Sequence, residues 1–195
     1  MEETLLFCEE SNRKICGIDE AGRGSIAGPL VVAGVVLLKD IDGLNDSKIL
    51  SAKKREILYE EIIQNSKYKI IFSTNEEVDK YGLSFLLKKA IKIIKKEFID
   101  YQIIMDGNTT FGVEGVQAII KADSKIKEVS AASILAKVSR DRYMIDIDSK
   151  YPNYLFAKHK GYGTKVHIEM IKKFGLSPIH RKSFKVKVLN SSYLF

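Results

Sequence analysis

The sequence predicts an α/β fold: a mixed β-sheet of about five strands flanked by helices, followed by a C-terminal helical segment. Three observations predict it. Short, β-rich apolar runs recur along the chain, and stretches with helical spacing lie between and after them. The first three runs are joined by a tight turn and a longer connection, whereas the later ones come after helical stretches, an order that favours a mixed sheet over a doubly wound parallel one. No Pro/Gly/Ser-rich linker, internal repeat or low-complexity tract divides the 195 residues, a length that suits one domain.

Taken in order, KICGIDE (14–20) is the first strand. PLVVAGVVLL (29–38) is apolar on both faces and therefore central in the sheet. Ser51 caps a helix running to about Asn65, with Ile57, Leu58, Ile62 and Ile63 as its apolar stripe. KYKIIFS (67–73) is the third strand. Helical spacing returns from about Glu76 to Phe98 through Leu86, Leu87, Ala90, Ile91 and Ile94, with Gly82 as an interruption. YQIIMD (101–106) and VQAIIKAD (116–123) are two further strands, each ending in an acid. SAASILAKVSRDRYMIDIDSKY (130–151) is helical, and Thr164 caps a last helix, KVHIEMIKKF, closed by Gly175. Residues 1–148 are read as the core. Residues 149–195 are read as a basic helical segment that contacts nucleic acid without forming an independent domain.

Composition narrows the function. The chain is 45% hydrophobic and 29% charged, has no apolar run of membrane-spanning length, and begins with an acidic stretch rather than a basic leader. Its two cysteines, Cys8 and Cys16, fit neither a disulfide framework nor a zinc pattern and are expected to be reduced thiols. A cytoplasmic location is expected. The net charge of +7 resides in residues 149–195, which hold ten basic residues and one acid. Such a segment on a near-neutral body points to a polyanionic partner, nucleic acid above all.

Three apolar runs end in carboxylates: Asp19 (followed by Glu20), Asp106 and Asp123. A buried strand has no packing use for an acid, and an unpaired buried carboxylate is costly. If the strands are neighbours, the acids converge at one sheet edge, where ligand sites commonly lie. Converging carboxylates repel one another unless a divalent cation intervenes. A hard oxygen donor set without His or Cys favours Mg²⁺ or Mn²⁺, which can drive phosphodiester cleavage. Residues 19 and 20 are adjacent, so a regular strand sends them to opposite faces. Both serve one site only if the strand ends or twists there, or if one offers its backbone carbonyl.

The turn Gly22-Arg23-Gly24-Ser25-Ile26-Ala27-Gly28 is not a Walker A loop, because Gly28 is followed by Pro29 rather than Lys. It matches GxGxxA but leads into a strand rather than a helix, against a dinucleotide fingerprint. What remains is a turn whose backbone groups can approach a ligand closely, with Arg23 placed for a phosphate. Lys48, in the polar NDSK loop (45–48), can reach a phosphate as well. A non-catalytic nucleic-acid-binding module would explain the basic segment but not the acids.

GIDEAGRGSIAGP, NDSK, MDG (105–107), SAASILAKVSRDR (130–142) and HKGYGT (159–164), in this order, resemble the ribonuclease HII family of bacteria. The resemblance spans about Ile15 to Phe184. It implies a ribonuclease H-like fold with a C-terminal helical part. It implies cleavage of the RNA strand of RNA–DNA hybrids, and nicking 5′ of single ribonucleotides in duplex DNA to leave 3′-hydroxyl and 5′-phosphate ends. By the same resemblance, Asp19, Glu20, Asp106 and Asp123 are the metal-binding catalytic acids, with Asp141 as a rival for the fourth. Gly22, Arg23 and Gly24 sense the ribose, and Tyr162 stacks on the neighbouring sugar. Nothing in the sequence signals an oligomer, so a monomer is expected, and none of His159, His167 and His180 is assigned a catalytic role.

Overall fold

The computed structural model describes residues 14–44 and 50–184. Strand β1 (Ile15–Ala21) pairs antiparallel with β2 (Leu30–Leu37), which pairs antiparallel with β3 (Ser66–Ser73). On its other side β1 pairs parallel with β4 (Gln102–Asp106), and β4 pairs parallel with β5 (Val116–Ile119). The strand order is β3-β2-β1-β4-β5, so the expected mixed five-stranded sheet is present. The helices are α1 (Ala52–Asn65), α2 (Asn75–Tyr81), α3 (Leu83–Glu97), α4 (Lys127–Asp148), the single turn α5 (Phe156–His159) and α6 (Lys165–Phe174).

Strand alternation sorts the core into two layers. Cys16 and Ile18 of β1 join Leu30, Val32 and Val36 of β2 beneath α3, which contributes Leu86, Leu87, Ala90, Ile91 and Ile94. The opposite face carries Ala21, Val31, Ala33 and Val35 against Leu58 and Ile62 of α1 and the Ala131, Leu135 and Ala136 side of α4. Helix α4 lies unusually close to β1 because Gly17 has no side chain there. A Cβ at that position would sit 2.2 Å from the Glu128 carbonyl carbon and the Val129 nitrogen. Cys16 is a buried thiol, pushed up to about 12 chiefly by burial.

A third cluster unites Ala27 and Met144 with Tyr154, Phe156 and Ile179 of the C-terminal segment. No helix among the described residues is long and apolar enough to cross a membrane.

Several boundaries differ from the sequence reading. The helical stretch 76–98 breaks at Gly82 as expected, where a φ of +76° suits glycine, but the first of its two helices starts one residue earlier, at Asn75. The run 116–123 is not one strand. Strand β5 stops at Ile119, Lys121 turns left-handed (φ 58°), and Asp123 lies in a 3₁₀ turn, Ala122–Ser124. The cause is tertiary: Asp106 Oδ1 accepts the Ala122 N–H at 2.8 Å and holds the turn off the strand line. Helix α4 starts at Lys127, three residues before the expected Ser130, and ends at Asp148.

Candidate active site

The carboxylates meet because of register. Ile18 of β1 pairs with Met105 of β4, so one further residue sets Asp19 beside Asp106 on the face covered by α4. Through its bond to Ala122, Asp106 also fixes the turn that carries Asp123. Asp19 (8% exposed), Asp106 and Asp123 (2% exposed) each offer a carboxylate oxygen, and the three oxygens lie within 4.8 Å of one another.

Burial, then the charge of Glu20, push Asp19 up to about 8, against the opposing pull of the Ser133 hydroxyl from α4 and the Glu20 N–H at 2.7 Å. Asp19 resists holding its charge alone, and the set around it is built only of hard oxygens, which fits a Mg²⁺- or Mn²⁺-type cation. Opposite ligands on such an ion lie roughly 4 Å apart.

Glu20 is not in this group. Strand β1 stays regular through Ala21, with Glu20 opposite Val32, so the strand does not end early to turn both acids the same way. The Glu20 carboxylate projects to the α3 face, accepts from Arg23 Nη1 at 3.1 Å, and is raised by burial, with Asp106 adding repulsion. Asp141 is not in the group either, being half-buried on α4 and paired with Lys137 at 2.8 Å.

The glycine turn leaves the sheet directly after β1. Gly22 (φ +95°) admits no side chain, because a Cβ would overlap Arg140 Nε at 2.3 Å and the Pro29 carbonyl oxygen at 2.6 Å. Gly24 is different. Its φ is not left-handed, and a Cβ there would meet no atom within 4 Å. Nothing inside the described fold requires glycine at 24, which leaves the space for a ligand. Arg23 is exposed, with its guanidinium 5.7 Å from the Phe111 ring.

Ile26 and Ala27 donate their N–H groups to the Gly161 carbonyl at 3.0 and 3.2 Å, which seats Tyr162 beside the turn. Tyr162 is half-buried, with Lys137 Nζ and Arg140 Cζ 5.3 and 5.2 Å from its ring centroid. Lys48 lies outside the described residues.

Sequence reasoning missed Ser133, which bonds Asp19, and two fully buried arginines, Arg140 and Arg181, which hold the turn from within. One signal for Arg140 was present: it falls in helical step with the apolar Ala136 and Met144, four residues either side. The three histidines, given no catalytic role from the sequence, are core groups of the C-terminal segment; what the sequence did not signal is that His159 and His167 stack (centroids 4.1 Å apart) with His180 beside them.

Known proteins resemble this chain along most of its length. A family model described as Ribonuclease HII matches residues 16–187. The ribonuclease HII of Aliarcobacter butzleri (strain RM4018) is 61% identical over 183 residues, covering 92% of this chain and 95% of that protein. The PCNA:RNase HII complex from Archaeoglobus fulgidus superposes with a TM-score of 0.76 at 30% identity, covering 89% of this chain and 96% of that one. The ribonuclease H2 from Pyrococcus horikoshii OT3 gives 0.72 at 30% identity, covering 88% and 94%. With the family pattern spanning the converging acids, the glycine turn and the tyrosine loop, the chain belongs to the ribonuclease HII family.

Proposed function

We propose that Asp19, Asp106 and Asp123, with Glu20 at the rim, form the cation-binding catalytic set of an endonuclease that recognises its cleavage point through the Gly22-Arg23-Gly24 turn. As a ribonuclease HII, the chain is a metal-dependent endoribonuclease that acts on RNA–DNA hybrids and nicks 5′ of single ribonucleotides in duplex DNA, leaving 3′-hydroxyl and 5′-phosphate ends. The observation that carries the proposal is the juxtaposition of a three-carboxylate cluster, two of its members buried, with a turn whose Gly24 faces open space.

Two divalent cations, Mg²⁺ or Mn²⁺, would supply Lewis acidity toward the scissile phosphate and acidify the attacking water. The carboxylates hold and space that positive charge, so no side chain acts as the nucleophile. Asp19, Asp106 and Asp123, whose oxygens already lie within 4.8 Å of one another, would hold the cations together. Glu20, held by Arg23, adds negative charge from the other face. The turn's backbone meets the 2′-hydroxyl, which is both donor and acceptor and distinguishes ribose from deoxyribose without regard to the base. Arg23 and Lys48 serve phosphates, and Tyr162 offers its ring to the adjoining sugar. The basic C-terminal segment, 149–195, contacts the nucleic-acid backbone.

The test uses three labelled duplexes: all-DNA, DNA with one ribonucleotide, and a full RNA–DNA hybrid. With Mg²⁺ or Mn²⁺ the second and third are cut and the first is spared, and EDTA stops all cleavage. Asp106→Asn keeps the oxygen that accepts the Ala122 N–H but loses the charge, so it should fold and bind duplex normally while cleavage falls by about a thousandfold or more. Near-normal cleavage by that variant removes Asp106 from the catalytic set, and cleavage of all-DNA duplex removes the ribose-reading role of the turn.

A further inference from the structure

Six backbone carbonyls of the segment 22–29 are taken up from inside the protein by two arginines that approach from different parts of the chain. Arg181 donates from Nη1 to the Gly22 carbonyl at 2.7 Å and more weakly to that of Arg23 at 3.4 Å. It also donates from Nε to Gly28 at 2.9 Å, and from its backbone N–H to Ile26 at 2.9 Å. Arg140, on α4, donates from Nε to Pro29 at 2.9 Å and from Nη2 to Ala27 at 3.0 Å. Its Nη1 reaches the Lys160 carbonyl at 2.8 Å and so ties in the tyrosine loop. Both arginines are at most 1% exposed, and among the described residues neither is in a salt bridge.

A trans peptide points its N–H opposite to its C=O, and the described chain has no cis bond. Pulling the carbonyls of Gly22 and Arg23 inward therefore turns the N–H groups of Arg23 and Gly24 outward. Four further N–H groups of the turn are already used: Ser25 donates to Gly22, Ile26 and Ala27 to Gly161, and Gly28 to Ile179. Those of Arg23 and Gly24 have no protein acceptor among the described residues. Directly behind them lie two buried positive charges held mostly by carbonyl dipoles. Burial, then the neighbouring Arg140, push Arg181 down to about 10, while Asp79, whose oxygens accept from Lys182 and Ser183, pulls the other way.

We propose that Arg181 is a positioning residue for sugar recognition: by holding the Gly22 and Arg23 carbonyls inward, it aims the Arg23 and Gly24 N–H groups at an acceptor on the substrate. This rests on the reading that the turn meets the 2′-hydroxyl. The forked guanidinium is needed because Nε and Nη1 hold Gly28 and Gly22 at once, a span that a lysine ammonium cannot reproduce.

The experiment measures binding in an Asp106→Asn background with Mg²⁺, which prevents cleavage. Dissociation constants are determined for an all-DNA duplex and for the same duplex with one ribonucleotide. Adding Arg181→Lys should lower the preference for the ribonucleotide duplex about fivefold or more, the loss of roughly one well-aimed hydrogen bond. The all-DNA affinity and the Mn²⁺-binding midpoint should stay within about twofold. An unchanged preference, or an equal fall in both affinities, overturns the proposal. Arg181→Gln, which keeps two donors without the fork, carries the same expectation if the lysine variant does not fold. Failure of both to fold would make Arg181 scaffold alone and also overturn the proposal. Gly24→Ala in the same background separates the two readings. If it keeps the preference, the turn does not read the sugar. If it loses the preference while Arg181→Lys keeps it, the turn reads the sugar without Arg181.

Discussion

Gly17 decides how closely α4 can lie on the strand that carries Asp19, and it does so by lacking a Cβ. Its missing Cβ would sit 2.2 Å from backbone atoms of Glu128 and Val129, which cannot swing aside as a side-chain tip would. Gly17→Ala should therefore destabilise the protein by about 1–3 kcal/mol as α4 is forced outward. Because Ser133 of α4 bonds Asp19, it should weaken Mn²⁺ binding as well. Thermal melting and a Mn²⁺ titration check this, and a variant with wild-type values for both would show that the helix yields without consequence. At this scale the acids were legible in the sequence, because a carboxylate that ends an apolar run has no packing purpose. Even the direction of Glu20 followed from the period of two, since β1 remains regular through Ala21. Arg140 and Arg181 were not legible in the same way. They bond to backbone carbonyls up to 113 and 159 residues away, and a carbonyl has no residue type to recognise.

Helix α2 is only seven residues long, yet it is the dock for the end of the described chain. Asn75 donates to the Pro178 and His180 carbonyls at 2.9 and 3.3 Å, and Asp79 accepts from the backbone of Lys182 and Ser183 at 2.9 Å each. So short a helix depends on its first turn, where Thr74 and Glu77 satisfy each other's backbone N–H groups in a capping box. Thr74→Ala should cost about 1 kcal/mol, read as a fall in melting temperature of roughly 2–4 °C. Cleavage at a single ribonucleotide below that temperature should be unchanged, and a large activity loss would mean that α2 communicates with the turn through Arg181. Strands and long helices were legible because their periodicity is intrinsic. The break at Gly82 was too. The 3₁₀ turn at Asp123 was not: VQAII reads as a strand continuing to the acid, and only the Asp106 bond to Ala122 says otherwise. The acid was found by its position after an apolar run, although the element beneath it was misread.

The whole molecule is closed by its C-terminal segment, whose core is an imidazole chain rather than an aliphatic one. Ser177 N–H donates to His180 Nδ1 at 2.8 Å, which puts the proton of neutral His180 on Nε2. That nitrogen faces His167 Nε2 at 3.0 Å, which must then accept, and His167 Nδ1–H donates to the Tyr162 carbonyl at 2.9 Å. The chain of bonds has one direction and no vacancy for another proton between the two rings. Burial foremost pushes both histidines down to about 4 from an ordinary 6.5, with the neighbouring imidazoles adding to it. Between those values the unfolded chain binds more protons than the folded one, so stability rises with pH. The histidine contribution is intact above about 6.5 and drains away as pH drops toward 4. By pH 5 the loss should be about 2 kcal/mol or more, or roughly 5 °C in melting temperature. His180→Gln should lower the melting temperature at neutral pH yet flatten its decline between pH 6.5 and 4.5. Comparing the two slopes isolates the histidines from Asp19, whose raised pKa tilts the metal-free protein the opposite way. Because this cluster joins Ala27 of the turn, Met144 of α4 and the Tyr162 loop, melting should stay a single transition at every pH, with calorimetric and van't Hoff enthalpies agreeing. A separate early transition on acidification would instead make residues 149–184 an independently melting unit, and the turn and the tyrosine would then lose their common support before the sheet does.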